Sequence, residues 1–446
     1  MREADVIAAI ATGGSPGAIG VIRLSGPELS GFMTPLLGRP IAPRRATLSD
    51  FLDSSGQALD TGIAVFFPGP HSYTGEDVLE LQGHGGPAVL QLLLRRCLAL
   101  GARLAQPGEF SRRAFLNQKL DLAQAEGVAD LIAASSEAAV RAALRSLKGE
   151  FSEEVRDLVR HLTALRVELE ANIDFPEEDA GALSEAAARS ALHALQAQLE
   201  RIRARAASGK LLRDGLRVAL IGAPNVGKSS LLNRLAGDDV AIVTALPGTT
   251  RDTVRSEVLI AGVAIHLADT AGLRETHDPI EQLGIERTWR AVEDSDLVLV
   301  VADATDPGSS NAQWILDGLS DKTNRIMVLN KIDRLGRGAR REANKGAITV
   351  EVSAKTGAGM DLLKAAMADA TGGLVQSEGV FLARERHLEA LGRAAVHLEA
   401  AQGCPDQAEL FAEELRLAQI ALGQITGEFT AEDLLGEIFS KFCIGK

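Results

Sequence analysis

The stretch Gly222-Ala-Pro-Asn-Val-Gly-Lys228-Ser229 has the spacing G-x-x-x-x-G-K-[ST] and lies between the apolar run RVALI and the amphipathic run SSLLNRLAG. Phosphate binding needs this arrangement. The glycines let successive backbone amides curl round phosphate oxygens, Lys228 neutralises the outer phosphates, and the Ser229 hydroxyl is a ligand for Mg2+. A strand before and a helix after would set the anion on a helix N-terminus, where unsatisfied amides and the helix dipole favour it.

The base is legible further on. Asn330-Lys331-Ile332-Asp333 follows RIMVLN, and Ser353-Ala354-Lys355 follows AITVEVS. The Asp333 carboxylate can accept from both the ring N–H and the exocyclic amine of guanine, donors that adenine does not offer there. A site built for that pair rejects the wrong base because its polar groups would be left unpaired. Asp269-Thr270-Ala271-Gly272 fits an element whose acid reaches Mg2+ through water and whose glycine amide senses the γ-phosphate. Gly248-Thr249-Thr250-Arg251-Asp252 supplies a switch threonine, best matched by Thr250. After Asp-Thr-Ala-Gly, where Ras-like enzymes carry a water-orienting glutamine, this chain has Leu273. Hydrolysis therefore needs another group to offset developing charge, and Arg251 and Arg274 are nearby candidates.

These residues must be positioned by an α/β unit, and the chain changes texture around them. Residues 1–115 read as α+β, with β-branched runs such as Gly20–Leu24 and Thr61–Phe67 and one clear helix, PAVLQLLLRRCLAL. Residues 116–213 show Ala, Leu, Glu and Arg at three- and four-residue spacing, as in long amphipathic helices; one ends before Pro176 and the next opens at Ser184-Glu185. Alternating strands and helices occupy 214–373, and helical texture returns over 374–446. The expected architecture is multidomain: an α+β domain, and a helical domain interrupted by an inserted P-loop domain of α/β class.

With 446 residues the chain can bury several cores, and its net charge of −13 excludes a broadly basic nucleic-acid-coating protein. A basic stretch such as Arg201–Arg205 reads first as a solvated helix face. Cys97, Cys404 and Cys443 are too scattered for a disulfide framework or a zinc site, so a cytoplasmic protein is expected. The N-terminus lacks the basic and apolar regions of a signal peptide, and no run of about 20 apolar residues suggests a membrane span.

Beyond the G-type motifs, SYTGEDVLELQGHGG at 72–86, RLAQPGEFSRRAFLNQKLDLAQAEGVADLI at 103–132 and the terminal FCIGK carry a resemblance over essentially the whole chain. The sequence resembles the MnmE (TrmE) family of tRNA-modification GTPases. That resemblance implies an N-terminal folate-binding and dimerising domain, a helical domain and an inserted Ras-like G domain. It implies nucleotide contacts from Asn225, Val226, Gly227, Lys228, Ser229 and Ser230, and from Thr244, Ala245, Leu246, Pro247, Gly248, Thr249 and Thr250. Further contacts are Asp269, Thr270, Ala271 and Gly272, then Asn330, Lys331 and Asp333, and Ser353, Ala354 and Lys355.

Mg2+ would be held by Ser229 and Thr250. In place of an arginine finger the family uses K+, which here would be held by Asn225, Thr244, Leu246 and Thr249; Glu281 matches the acid that positions the attacking water. Folate, as a methylene- or formyl-tetrahydrofolate, would meet Arg23, Glu80, Lys119 and Lys446, with Cys443 matching the terminal cysteine of the family. Partners implied are a second copy, tRNA, and the flavin-bearing MnmG (GidA), with which an aminomethyl-type group is added at C5 of the wobble uridine. The rival reading, an Era- or Der-like ribosome-assembly switch, expects a second P-loop or a KH module, and the sequence has neither. A further rival is a signalling GTPase whose N-terminal domain only dimerises; folate affinity would separate it.

The tail is a poor prenylation box, with glycine and lysine after Cys443-Ile444. Thr430 and Asp433 suit a cap for a last helix, and Leu434, Leu435, Ile438, Phe439 and Phe442 form an apolar face expected to dock.

Overall fold

The computed structural model describes residues 5–13, 17–174, 184–238, 255–260, 262–269, 286, 288–320, 323–344, 347–370, 379–404, 407–428, 432–440, 442 and 445. Two compact units emerge: Met1–Ile132 with Ser146–Leu199 and Ala390–Lys446, and Ala133–Arg145 with Glu200–Glu389.

The first unit contains a six-stranded sheet of β1 (Ile7–Ile10), β2 (Ile19–Gly26), β3 (Thr47–Leu52), β4 (Ala58–Phe67), β5 (Asp77–His84) and β6 (Arg103–Leu104), in the order β3-β4-β5-β2-β1-β6. Strand alternation turns Ile22, Leu24, Leu79 and Leu81 to one face, where they pack with Leu36 of α1 (Ser30–Leu37) and Leu93 of α2 (Pro87–Ala99). The sequence shows α2 plainly but hides α1, because Gly31 and Pro35 interrupt its helical signal. On the opposite face Ile7 and Ala9 meet Phe110 of α3 (Glu109–Leu116), with Tyr73 against them.

The helices between the two sheets in sequence, and those that end the chain, follow local rules. α4 (Leu122–Ala133) opens on a reciprocal box in which the Gln124 amide donates to Asp121 Oδ1 at 2.9 Å and the Asp121 amide to Gln124 Oε1 at 3.0 Å. α5 (Glu137–Leu147) precedes α6 (Glu150–Asp174), which runs for 25 residues and packs with helix Ala408–Thr426, where Arg166 donates to Gln419 at 2.7 Å. α7 (Glu185–Asp214) begins where expected, with the Ala187 amide donating to Ser184 Oγ. The last helix, Glu432–Ser440, buries Ile438 and Phe439, with Phe442 just beyond its end, against Leu122, Ala125 and Phe115. That is the docking expected of the tail; Thr430 lies outside the described residues.

Among the described residues the second unit has seven strands: β7 (Leu216–Gly222), β8 (Arg255–Ile260), β9 (Val263–Asp269), β10 (Leu297–Asp303), β11 (Arg325–Asn330), β12 (Arg340–Asn344) and β13 (Ala347–Glu351). Their order is β12-β13-β11-β10-β7-β9-β8, parallel except where β8 meets β9 and β12 meets β13. The run LVLVVA in β10 is buried throughout, as a strand covered on both faces must be. One side packs against Leu231 and Leu235 of α8 (Lys228–Asp238) and Leu363 of helix Met360–Ala370; the other packs against Ile315 and Trp289. β7 sits between β10 and β9, so the chain leaves its carboxyl end at the point where strand order reverses, the usual place for a ligand crevice in an open parallel sheet. Among the described residues no helix is long and apolar enough to cross a membrane.

Candidate functional site

The P-loop leaves β7 at Gly222 and enters α8 at Lys228. It turns by way of Asn225 at φ +65° and Gly227 at φ +98°, and a Cβ on Gly227 would run into the Asn330 side-chain amide. That close approach ties the loop to the base-reading segment. Asn330 is almost fully buried and uses both ends of its amide: Nδ2 donates to Val226 O at 2.9 Å, while Oδ1 accepts from the amides of Lys331 at 2.8 Å and Ala354 at 3.0 Å. One side chain thus joins the P-loop, the Asn-Lys-x-Asp turn and the Ser-Ala-Lys loop. The Lys331 ammonium adds a second tie, donating to Asn225 O at 2.6 Å and to Asp303 Oδ2 at 2.8 Å.

Asp333 is aimed by Ser353, whose hydroxyl donates to its Oδ1 at 2.7 Å and itself accepts from the Thr356 amide. Together these loops enclose a cleft of about 740 Å³ lined by Gly227, Ser230, Asn330, Lys331, Asp333 and Lys355. Lys228, buried at the helix start, donates to Gly222 O at 2.9 Å and Ala223 O at 3.1 Å, and Ser229 is exposed beside it. Asp269 ends β9 in register with Leu220 of β7. The exposed Ser229 hydroxyl at the start of α8 is a hard oxygen donor of the kind a divalent cation takes. Thr244–Thr250, Arg251, Thr270, Ala271, Gly272, Leu273, Arg274 and Glu281 lie outside the described residues.

Sequence reasoning missed Asp303. Burial works against its ionisation, but the Lys331 ammonium and the Thr305 amide and hydroxyl outweigh that and hold the carboxyl at about 2. Its signal was available: an acid at the carboxyl end of an apolar strand adjacent to the P-loop strand.

The second constellation lies in the first unit. Arg23 and Glu80 oppose each other across β2 and β5, with Arg23 Nε to Glu80 Oε1 at 2.9 Å, and Gln82 donates to Glu80 Oε2 at 3.2 Å. The guanidinium lies 5.8 Å from the ring centroids of both Tyr73 and Phe110. Burial pushes the Tyr73 phenol up, and its hydroxyl pairs with Ser111 Oγ at 2.8 Å. From the far end of the chain the carbonyl of Gly445, buried at φ +97° against Ile10, accepts from Arg23 at 3.3 Å. Lys119 is exposed just past α3 with its stem beside Gly75, in the loop that carries Tyr73. Cys443 and Lys446 lie outside the described residues. A cation, a carboxylate and two aromatic rings fit a ligand with a planar hydrogen-bonding ring and an acidic tail. Tyr73, Phe110 and the Gly445 carbonyl were not legible as contributors, since only packing brings them to Arg23.

Within the long motif at 103–132, which also sends Phe110 to the Arg23 site, the buried charges Glu109 and Arg113 are scaffold. Arg113 and Glu109, each 3% exposed, form a network with Arg103, Asp5 and Glu76 in which Arg113 reaches Glu76 at 3.0 Å and Asp5 at 2.8 Å. Burial alone would push the Glu109 carboxyl up, but Arg103 and Arg113 hold it below the usual range. Among the thiols, Cys97 is buried and pushed up to about 12 by that burial, which makes it inert as a nucleophile at neutral pH.

A family model described as the MnmE helical domain matches residues 122–443, and one described as the GTP-binding protein TrmE N-terminus matches residues 6–119. The tRNA modification GTPase MnmE of Chromobacterium violaceum is 56% identical over 441 residues, covering 99% of this chain and 98% of that one. That of Thiobacillus denitrificans is 57% identical over 442 residues, with 99% and 98% covered. A solved FeoB G domain from Methanococcus jannaschii is 30% identical over 35% of this chain and 97% of its own, at a TM-score of 0.27. With family models spanning both units and relatives aligned end to end, this chain belongs to the MnmE (TrmE) family of tRNA modification GTPases.

Proposed function

We propose that this chain is a K+-activated GTPase that acts, as a homodimer with the flavin-bearing MnmG (GidA), in adding an aminomethyl-type group to C5 of the wobble uridine of certain tRNAs. The observation that carries the GTPase part is the Asn330 clamp, which holds the P-loop and both guanine-reading segments around one cleft. Asp333, oriented by Ser353, reads the guanine edge, and Lys228 neutralises the outer phosphates. Ser229 and Thr250 would hold Mg2+, and Asn225, Thr244, Leu246 and Thr249 would hold K+. A cation bound at the β/γ oxygens offsets the charge that develops as the γ-phosphoryl leaves, which a leucine at position 273 cannot do. Glu281 would orient the attacking water.

The folate part is supported by the Arg23–Glu80 pair over Tyr73 and Phe110. Arg23, Lys119 and Lys446 would meet the acidic tail of a tetrahydrofolate bearing the one-carbon unit, Glu80 the pterin N–H groups, and Cys443 would stand at the same pocket. A dimer through the N-terminal sheet is supported by exposed Ile19 and Ile63, which share the face that carries Arg23. The same reading assigns residues 1–115 to folate binding and dimerisation, 116–213 and 374–446 to the helical domain and 214–373 to the G domain, in a cytoplasmic protein. GTP turnover is expected to rise with K+ and fall when Na+ replaces it; equal rates defeat the cation reading. Mass spectrometry of wobble uridine from cells lacking the protein is expected to show the modification lost, and an unchanged spectrum defeats the tRNA reading.

A further inference from the structure

We infer that the loop Arg39-Pro-Ile-Ala-Pro-Arg44-Arg45, between α1 and β3, is a contact surface for RNA backbone phosphates. The inference rests on the tRNA reading above and deepens it by assigning a surface to the substrate. Between Glu28 and Asp50 the chain carries no acid but three arginines, in a protein whose net charge is −13. All three are exposed, and among the described residues none is paired with a carboxylate.

In the other arginine-rich stretches several guanidinium groups meet a partner within the chain. In Arg201–Arg205, Arg203 pairs with Glu200 at 2.5 Å, and Arg205 lies 4.8 Å from the Phe381 ring while donating to Gly379 O. Arg113 is buried in its network, Arg96 donates to Leu52 O and Pro35 O, and Arg341 pairs with Asp369 at 2.7 Å.

The loop is also built to hold its shape. Ile41 is anchored in the core under α1, Pro43 bridges to Phe66, and the Arg44 amide donates to Phe66 O at 2.7 Å. Arg44 adopts φ +56°, and its guanidinium donates to the His71 carbonyl. Arg39 and Arg45 then flank a concavity of about 410 Å³ whose lining, including Ala42, Ala46, Thr47 and Leu48, contains no acid. Guanidinium groups carried on a held backbone over a shallow, acid-free hollow suit phosphate oxygens, which they can engage in bidentate fashion. Such contacts position a nucleic acid without reading its sequence.

The test uses the full chain, fluorescently labelled tRNA and anisotropy titrations across a salt series. R39E/R45E is expected to lower tRNA affinity by about tenfold or more and to make the plot of log K against log salt shallower by about two. R39K/R45K, which keeps the charge but not the bidentate fork, is expected to keep the parental salt slope and to fall between the parent and R39E/R45E in affinity, and GTP turnover and thermal unfolding of all variants are expected to match the parent. Unchanged affinity and slope in R39E/R45E overturn the assignment, as does absence of tRNA binding by the parent chain. Loss of MnmG association with tRNA affinity intact also overturns it, giving the loop to a protein partner. Wobble-uridine analysis of cells lacking the protein reports separately on the tRNA reading, which survives if only the loop assignment fails.

Discussion

The nucleotide cleft and the Arg23 site are built in opposite ways. In the cleft, side chains hold backbone: Asn330 grips Val226 O and the amides of Lys331 and Ala354, and Lys331 grips Asn225 O. In the Arg23 site, side chains hold side chains, Arg23 to Glu80 across β2 and β5 and Gln82 to Glu80 along β5, and the Gly445 carbonyl arrives from 422 residues away. The first is rigid because neighbouring loops of one sheet edge are stitched together. The second is only as firm as the docking of the last helix. Failure of one should therefore leave the other working.

The sharpest break is expected from Asp333→Asn. Removing the carboxylate that accepts from guanine is expected to weaken GTP binding by about a thousandfold or more, measured by calorimetry, with folate affinity unchanged. A loss of less than tenfold would mean that Asp333 does not read the base.

Next in size is Phe439→Ala. Phe439 is 2% exposed and packs on Phe442 and Phe115 with ring centroids 5.3 and 6.4 Å away. Its truncation is expected to destabilise the first unit by about 3–4 kcal/mol, seen in denaturant unfolding, and to reduce folate affinity by undocking Gly445. GTP turnover is expected to hold; a parallel fall in both activities would erase the distinction between the two sites.

Arg23→Ala is expected to cost about 2 kcal/mol of binding to a tetrahydrofolate derivative, through the lost charge-assisted bonds, with GTP turnover at the parental value. Folate binding within twofold of parent would remove Arg23 from the site.

The smallest effect concerns Asp303 and pH. Its carboxyl lies at about 2 against an ordinary 3.8, so it contributes stability above pH 4 that fades as pH falls through 2. The pair with Lys331 is about one-fifth exposed, which screens it and leaves a contribution of about 1 kcal/mol. Asp303→Asn is expected to flatten the acid limb of stability between those values without altering base choice. An unchanged acid limb would show that Lys331 is held by Asn225 O alone.

The two regions also differ in how far they could be read in advance. The P-loop, the Asn-Lys-x-Asp turn and the Ser-Ala-Lys loop are contiguous, and each follows an apolar strand, so local backbone geometry reports the chemistry. Ser184 was legible as a helix start for the same reason. Helix Ser30–Leu37 was not, because Gly31 and Pro35 argue locally against a helix that Phe32, Met33, Leu36 and Leu37 stabilise by burial. Glu109 and Arg113 sit in a stretch that invites a functional reading, yet burial commits them to each other and to Asp5 and Glu76.

The sequence by itself determined the guanine-nucleotide chemistry, the succession of α+β, helical and P-loop textures, and the apolar face of the terminal helix. Those features depend on residue order over a few turns or one loop. Tertiary structure alone decided that Arg23 faces Glu80, that Tyr73, Phe110 and Gly445 join them, that Asp303 braces Lys331, and which arginines remain unpaired at the surface. Strand register and helix docking set those contacts between residues far apart in the chain, and no local pattern encodes which distant partner a buried or paired side chain will meet.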